Sequence, residues 1–197
     1  MVSQVQHLQG RNRRLARRER PRRSSARRVD PPIQLPASVQ TRRQHRDHTA
    51  GDCAVITLPD LRQQTDYDCG AVCCHIVWQY FGMPRRKVDS NQIDGTDPRT
   101  LEAALRVSGL PVLSGEMTVS DLVYFARSKR PTIVLAKTTG EPITGHYMVC
   151  AGSRDRRLYF ACPTRGPIVE TPRRFDRRWH DVDRHGTVFR RWGIVVG

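Results

Sequence analysis

The sequence lacks the features that mark several large classes of protein. None of its 197 residues belongs to a run of 18 consecutive apolar residues, so a helix that spans a membrane is not expected. Its N-terminus has no apolar segment of the kind found in a secretory signal. It also has no glycine-rich phosphate loop and no second pair of metal-binding residues to complete a site. No cofactor and no metal ion are therefore predicted.

Lysine is scarce, and the basic charge is carried almost entirely by arginine. Three lysines occur among 34 basic residues, and with 19 acids the formal net charge is +15. Residues 1–50 contain 13 arginines, three acids and no aromatic side chain. Because such a segment buries too little apolar surface to offset the cost of ordering, residues 1–51 are predicted to be a disordered tail. Residues 52–197 are then expected to form one domain.

The densest basic run, residues 11–28, has several interpretations. It can serve as a phosphate-binding arm for nucleic acid or for another anionic surface. It can equally be a solvated tail, translated upstream sequence or an organelle transit peptide. The solvated tail is favoured because no aromatic residues alternate with the arginines to stack on bases.

The six cysteines do not have the spacing of a small disulfide scaffold. Four of them fall inside predicted helices or strands, which indicates a reducing compartment: Cys73, Cys74, Cys150 and Cys162. A metal site around Cys69 is disfavoured, because residues 73–75 follow one another on a helix and point in different directions.

The segment from Leu61 to Gly82 carries the clearest chemical signal. Polar residues precede Cys69, and an apolar pattern with helical spacing follows it as far as Phe81. Cys69 is therefore predicted at the N-terminus of a buried helix, where the helix dipole and unpaired N–H groups favour thiolate. A buried structural cysteine is the alternative.

The later pattern predicts an α+β fold with helices first and an antiparallel sheet second. A helix is expected from Pro98 to Gly109, and a capping box at Thr118 and Asp121 predicts another. Strands are expected in the remainder, at 132–136, 145–151, 158–161, 187–189 and 193–196, with a shorter one at 111–113.

Among the seven histidines, His146 is the candidate general base. It opens a predicted strand, where the sheet can hold the imidazole in one orientation against a thiolate. His75 lies on the same helix as Cys69 and faces elsewhere, and His180 and His185 are predicted in a polar loop. The alternative for His146 is a core histidine with satisfied hydrogen bonds.

Two segments resemble the bacteriocin-processing peptidases, the papain-like cysteine peptidases that remove double-glycine leaders. QQTDYDCGAVCCHIVWQYFG resembles their opening segment, and GHYMVCAGSRDRRLYFACPTRG resembles their histidine strand and the hairpin after it. The connection between them and the closing segment are also similar, so the resemblance covers about residues 52–197. It implies a papain-like fold, with N-terminal helices packed on a C-terminal antiparallel sheet.

The resemblance also implies roles for individual residues. Cys69 matches the nucleophile, His146 the general base, and Gln63 the oxyanion donor, with Gln64 as its neighbour. The third catalytic position, an Asp or Asn before a proline in the family, is occupied here by Cys162. A neutral thiol orients and stabilises an imidazolium poorly, so activity is the less secure expectation.

The expected function is cleavage of a peptide bond in a leader or another extended peptide by thiolate attack. The alternatives are a non-catalytic peptide-binding member of the same fold and a nucleic-acid-associated protein acting through residues 11–28. The expected partners are a peptide or protein substrate and a separate membrane transporter. The expected location is the cytoplasm, at the inner face of a membrane through that partner.

Overall fold

The computed structural model describes residues 54–93, 95–139, 144–183 and 185–197. The predicted tail 1–51, its basic run 11–28, Cys53 and the predicted start of the domain lie outside these residues. The interpretations of the tail therefore stay predictions. In the described part of the chain, no helix has the length and apolar character needed to cross a membrane.

The described chain contains four helices: α1 (Cys69–Tyr80), α2 (Pro98–Val107), α3 (Val119–Arg127) and α4 (Pro172–Arg178). The first three match the predicted helices. Asp97 caps α2 by accepting hydrogen bonds from the N–H groups of Arg99 and Thr100, and the capping box of α3 is confirmed. α4 was not predicted, because its seven residues contain a single buried side chain, Phe175, and so show no apolar period.

Seven strands form one antiparallel sheet: β1 (Ala54–Val55), β2 (Val112–Glu116), β3 (Thr132–Lys137), β4 (Gly145–Arg154), β5 (Arg157–Cys162), β6 (Gly166–Glu170) and β9 (Trp192–Val196). Their order is β2-β9-β3-β4-β5-β6, and β1 pairs with β4. The turn between β4 and β5 is made by Asp155 and Arg156, both at positive φ. β1 precedes all four helices, and β2 matches the short strand expected at 111–113.

A separate two-stranded sheet pairs β7 (His180–Val182) with β8 (Val188–Arg190). The prediction of a polar loop was wrong for His180, which is the first residue of β7. β7 has the sequence His-Asp-Val, which shows no alternating apolar pattern, whereas β8 falls close to the strand predicted at 187–189. His185 lies in the turn between the two strands.

Side chains of the central strands alternate between two hydrophobic cores. Ile133 and Leu135 of β3 pack with α1 and α2, whereas Val134 and Ala136 pack in the second core. The second core also contains Leu122 of α3 and Phe175 of α4. The sheet is therefore a middle layer with helices on both faces, and the predicted α+β class is confirmed.

Candidate active site

Cys69 is the first residue of α1, and the turn before it is closed by Asp68. The Asp68 carboxylate accepts hydrogen bonds from the main-chain N–H groups of Gln64 at 3.2 Å and Thr65 at 3.3 Å. It makes no side-chain hydrogen bond to cap the helix. The turn that carries the polar residues is thus folded on itself, and Asp68 leaves the N–H groups of the first helical turn uncapped.

Gly70 allows the start of α1 to approach the loop before α2. A Cβ atom at this position would lie 2.6 Å from Cβ of Thr96 and 3.0 Å from Cδ1 of Leu101. The main-chain oxygen of Thr96 in turn accepts a hydrogen bond of 3.0 Å from the Tyr147 hydroxyl. The Cys-Gly pair therefore sets how closely the nucleophile candidate packs against β4.

The Cys69 thiol is nearly buried, with 6% of the residue exposed. Burial raises the pKa of the thiol, and the main-chain N–H groups of Tyr147 and Gly70, which stabilise the thiolate, only partly oppose it. The helix start does act in the expected direction, since the Gly70 N–H lowers the pKa of the thiol, but burial acts against it. Desolvation outweighs the helix terminus, and the resting group is a neutral thiol.

His146, the second residue of β4, directs its Nε2 atom toward the end of β5. Nε2 lies 3.3 Å from Sγ of Cys162 and 3.4 Å from Oγ1 of Thr164. Burial, together with the positive charges of Arg178 and Arg165, lowers the pKa of His146 to about 4. The imidazole is therefore neutral at neutral pH.

Arg178, the last residue of α4, is held by a largely buried ion pair. Its Nε donates to Oε2 of Glu170 at 3.2 Å, and a second guanidinium nitrogen pairs with the other carboxylate oxygen. The side chains of Arg178 and Glu170 are 12% and 8% exposed. The Glu170 carboxylate therefore pairs with the arginine whose positive charge lowers the pKa of His146.

Gln63 is docked on the turn between β5 and β6. Its main-chain N–H donates to the oxygen of Pro163 at 3.1 Å. Its side chain donates through Nε2 to the main-chain oxygen of Thr65 at 2.8 Å and accepts through Oε1 from Thr164 at 3.0 Å. Gln64 is exposed and makes its contact with Asp68, so Gln63 and not its neighbour reaches Thr164 beside the histidine.

Cys162 and Thr164 thus contact the His146 imidazole, Gln63 contacts Thr164, and Cys69 reaches the same strand from α1. Its sulfur accepts the N–H of the residue that follows the histidine, and it lies close enough to Cys162 for the two groups to interact electrostatically. Among the described residues, no hydrogen bond joins the Cys69 sulfur to the His146 ring.

Thr164 is the site residue that sequence reasoning missed. It follows Cys162 by two residues in an exposed turn, and its hydroxyl contacts both the glutamine and the histidine. Its position in the turn after a strand that bears a site residue was the available signal. His75 lies elsewhere, with its Nε2 atom 3.0 Å from the main-chain oxygen of Arg86.

The described cysteines are free thiols, and all of them are buried: Cys69, Cys73, Cys74, Cys150 and Cys162. Within the described ranges, no group of three or more His, Cys, Asp or Glu residues is arranged to hold a metal ion.

Comparisons with known proteins identify the family and the fold. A model of the Peptidase C39 family matches residues 57–182. A double glycine motif protease from an AMS/PCAT transporter, solved in complex with the leader peptide, is 20% identical with a TM-score of 0.55, covering 73% of this chain and 94% of that chain. The peptidase domain of Streptococcus ComA, described as a bifunctional ABC transporter involved in quorum sensing, is 20% identical with a TM-score of 0.54, covering 71% and 96%.

A C39-like peptidase from Bacillus anthracis is 13% identical with a TM-score of 0.56, covering 74% of this chain and 98% of that chain. At these identities, the likeness to solved structures establishes the fold alone. No curated protein matches the chain.

Proposed function

Because the chain belongs to the Peptidase C39 family, we propose that it is a cysteine peptidase with Cys69 as nucleophile and His146 as general base. The observation that supports this most directly is the meeting of four matched positions at the start of β4. Nε2 of His146 is 3.3 Å from Cys162, and Gln63 reaches the same ring through Thr164. Cys69 meets the main chain of the next residue, Tyr147.

The proposed reaction starts from a neutral thiol and a neutral imidazole. The Cys69 sulfur attacks the peptide carbonyl while its proton passes to Nδ1 of His146, since Nε2 faces Cys162 and Thr164. The carbon–nitrogen bond then breaks, the imidazolium gives its proton to the departing amine, and water hydrolyses the acyl-enzyme. The second Nε2 hydrogen of Gln63 and the Cys69 main-chain N–H are the proposed oxyanion donors.

For the substrate, we propose an extended peptide with a double-glycine leader. The support is the family and the solved double glycine motif protease with its leader peptide. A separate membrane transporter is the proposed partner, and the cytoplasmic face of a membrane the proposed location, because the peptidase domains among the structural neighbours belong to transporters.

A non-catalytic peptide-binding protein of the same fold is the second candidate. It is favoured by Cys162, which stands in the place of a carboxylate and leaves the imidazolium without a negative partner. The direction of the two pKa shifts, upward for Cys69 and downward for His146, also opposes formation of an ion pair.

The test is covalent labelling and peptide cleavage by the full-length chain. A peptide ending in Gly-Gly with a chloromethyl ketone at its C-terminus is the labelling probe, and a peptide with an internal Gly-Gly bond is the substrate. We expect labelling of Cys69 and cleavage after the second glycine, both lost in Cys69→Ala and strongly reduced in His146→Gln. Mass spectrometry of the labelled peptide identifies the modified residue.

Two outcomes separate the candidates. Saturable binding of the Gly-Gly peptide without cleavage, with labelling of Cys69 no faster than that of the buried Cys73, supports the non-catalytic binder. Cleavage that persists in Cys69→Ala shows that the nucleophile is another group or a contaminating protease.

A further inference from the structure

We propose that Thr164 is a positioning residue that fixes the proton of His146 on Nε2 and so leaves Nδ1 as the basic atom. The proposal rests on His146 being the general base. Thr164 stands between the two candidate catalytic side chains, since its hydroxyl is 3.4 Å from Nε2 of His146 and 3.0 Å from Oε1 of Gln63. The direction of each hydrogen bond follows from the chemistry of the groups.

The chain of hydrogen bonds begins at Thr65, which is an acceptor. Its main-chain oxygen can only accept, so the Gln63 atom 2.8 Å from it must be the amide nitrogen. This fixes which end of the amide is oxygen, and the oxygen faces Thr164. The orientation of Gln63 is therefore decided by an atom outside the histidine site.

A threonine hydroxyl has one hydrogen to donate, and that hydrogen bonds to Gln63. Oε1 of Gln63 can only accept, so Oγ1 of Thr164 donates to it at 3.0 Å. The lone pairs of Oγ1 remain for the group 3.4 Å away, which is Nε2 of His146. Two lone pairs would repel at this position, so Nε2 carries the proton.

Cys162 alone would leave the histidine tautomer undecided. Its thiol, 3.3 Å from Nε2, can donate to an unprotonated nitrogen or accept weakly from a protonated one. The hydroxyl of Thr164 removes this choice. It supplies an uncharged replacement for one of the two tasks of a catalytic carboxylate, orientation of the imidazole, but not for charge stabilisation.

The turn that carries Thr164 is held against the glutamine segment by independent contacts. The Gln63 N–H donates to Pro163, and the Arg62 guanidinium lies against Gly166, where a Cβ would be 2.0 Å from one of its nitrogens. Asp60 holds the same guanidinium through an ion pair of 2.9 Å. The geometry of the hydroxyl therefore depends on a docked turn and not on the threonine alone.

The first experiment reads the tautomer without reference to catalysis. Nitrogen-15 NMR of histidine-labelled full-length protein, with the His146 signals assigned by their loss in His146→Gln, should show Nε2 protonated and Nδ1 unprotonated at neutral pH. Thr164→Val keeps the shape of the side chain without its hydroxyl, and should give a mixture of tautomers. Thr164→Ser keeps the hydroxyl and should retain the single tautomer.

The second experiment measures the rate of Cys69 alkylation by iodoacetamide against pH. Because the hydroxyl keeps Nδ1 of His146 unprotonated and therefore basic, its loss should slow labelling near pH 7 by roughly three- to tenfold, the range for one partly exposed hydrogen bond. Above the thiol pKa, where no base is needed, Thr164→Val and the unmodified chain should react equally. Thr164→Ser should follow the unmodified chain throughout.

These outcomes separate the two proposals. If Cys69 is not labelled by the Gly-Gly probe in the unmodified chain, the peptidase proposal fails, while the NMR result still decides the role of Thr164. If His146 shows the Nδ1-protonated tautomer, or if Thr164→Val leaves both the tautomer and the neutral-pH rate unchanged, Thr164 has no positioning role. A rate reduced equally at every pH indicates structural damage and also refutes the proposal.

Discussion

Replacing Cys162 by Asp should convert an uncharged pair into an ion pair. In the present chain the pKa of His146 is about 4, against an ordinary 6.5, which corresponds to a cost of about 3 kcal/mol for forming the imidazolium. The pKa of Cys69 is raised above its ordinary 9.0, so proton transfer from thiol to imidazole is uphill before substrate binds. The absence of a negative charge next to Nε2 contributes to the free-energy cost of this proton transfer.

The expected stabilisation of the imidazolium by Asp at position 162 follows from its distance to Nε2 of His146. A carboxylate about 3.3 Å from Nε2, where Sγ now lies, attracts an imidazolium by about 5 kcal/mol at an effective dielectric constant of 20. Burial of the new carboxylate opposes this, and the nearby charges of Arg165 and Arg178 reduce the opposition. We therefore expect the pKa of His146 to return to at least its ordinary range, and the neutral-pH alkylation rate of Cys69 to rise tenfold or more.

The assay is the alkylation rate of Cys69 against pH, together with histidine NMR titration. Cys162→Asn is the matched control, because it has the shape of Asp and can orient the ring but carries no charge. The apparent pKa of the thiol should fall in Cys162→Asp and change less in Cys162→Asn. If the folded Asp variant reacts like the Asn variant at every pH, Cys162 does not occupy the position of the third catalytic residue.

Three further predictions concern stability and domain organisation. His146 binds a proton in the unfolded chain near pH 6.5 but in the folded chain only near 4, so its contribution to stability is complete above 6.5 and is lost as the pH falls through 4. Denaturant unfolding at several pH values should show a loss of about 3 kcal/mol that is absent in His146→Gln, and equal curves for both would contradict the assigned pKa. Gly70→Ala should cost about 1–3 kcal/mol through its clash with Thr96, against less than about 0.5 kcal/mol for the exposed Gln79→Ala, and similar thermal shifts would contradict the packing argument. Limited proteolysis should leave a stable fragment of about residues 52–197, a boundary we propose from composition, and early cleavage within the second or third helix would refute it.

The elements that sequence predicted best carry a strong local signal. The twelve residues of α1 show a long apolar pattern with helical spacing. Polar residues precede the helix, and Gly82, which has positive φ, follows its end. The capping box from Thr118 to Asp121 spans only four residues and marks a helix start. Such signals depend on contacts between near neighbours in sequence, and a single chain displays them fully.

The elements that sequence missed depend on distant contacts. β6 contains Pro167, which argues against a strand, yet it is tolerated because β6 lies at an edge of the sheet. His146 was placed by its predicted strand and Cys162 by resemblance, whereas Thr164 was not singled out although it lies within the segment that resembles the family's hairpin. Its role emerges only when the turn docks on a segment about 100 residues earlier.

The sequence also could not show that desolvation raises the pKa of the Cys69 thiol by more than the helix start lowers it. The helix start was visible, but the depth of burial depends on Gly70 and on the sheet behind it. The competition between the two effects on the thiol is a property of the packed domain.

The neutral resting state of Cys69 has a consequence for its survival in a cell. Peroxides oxidise thiolates far faster than thiols, and they need access to the sulfur. A thiol that is 6% exposed and has a raised pKa meets neither requirement. The same burial that slows its chemistry therefore spares it from sulfenic and sulfinic acid formation while no substrate is bound.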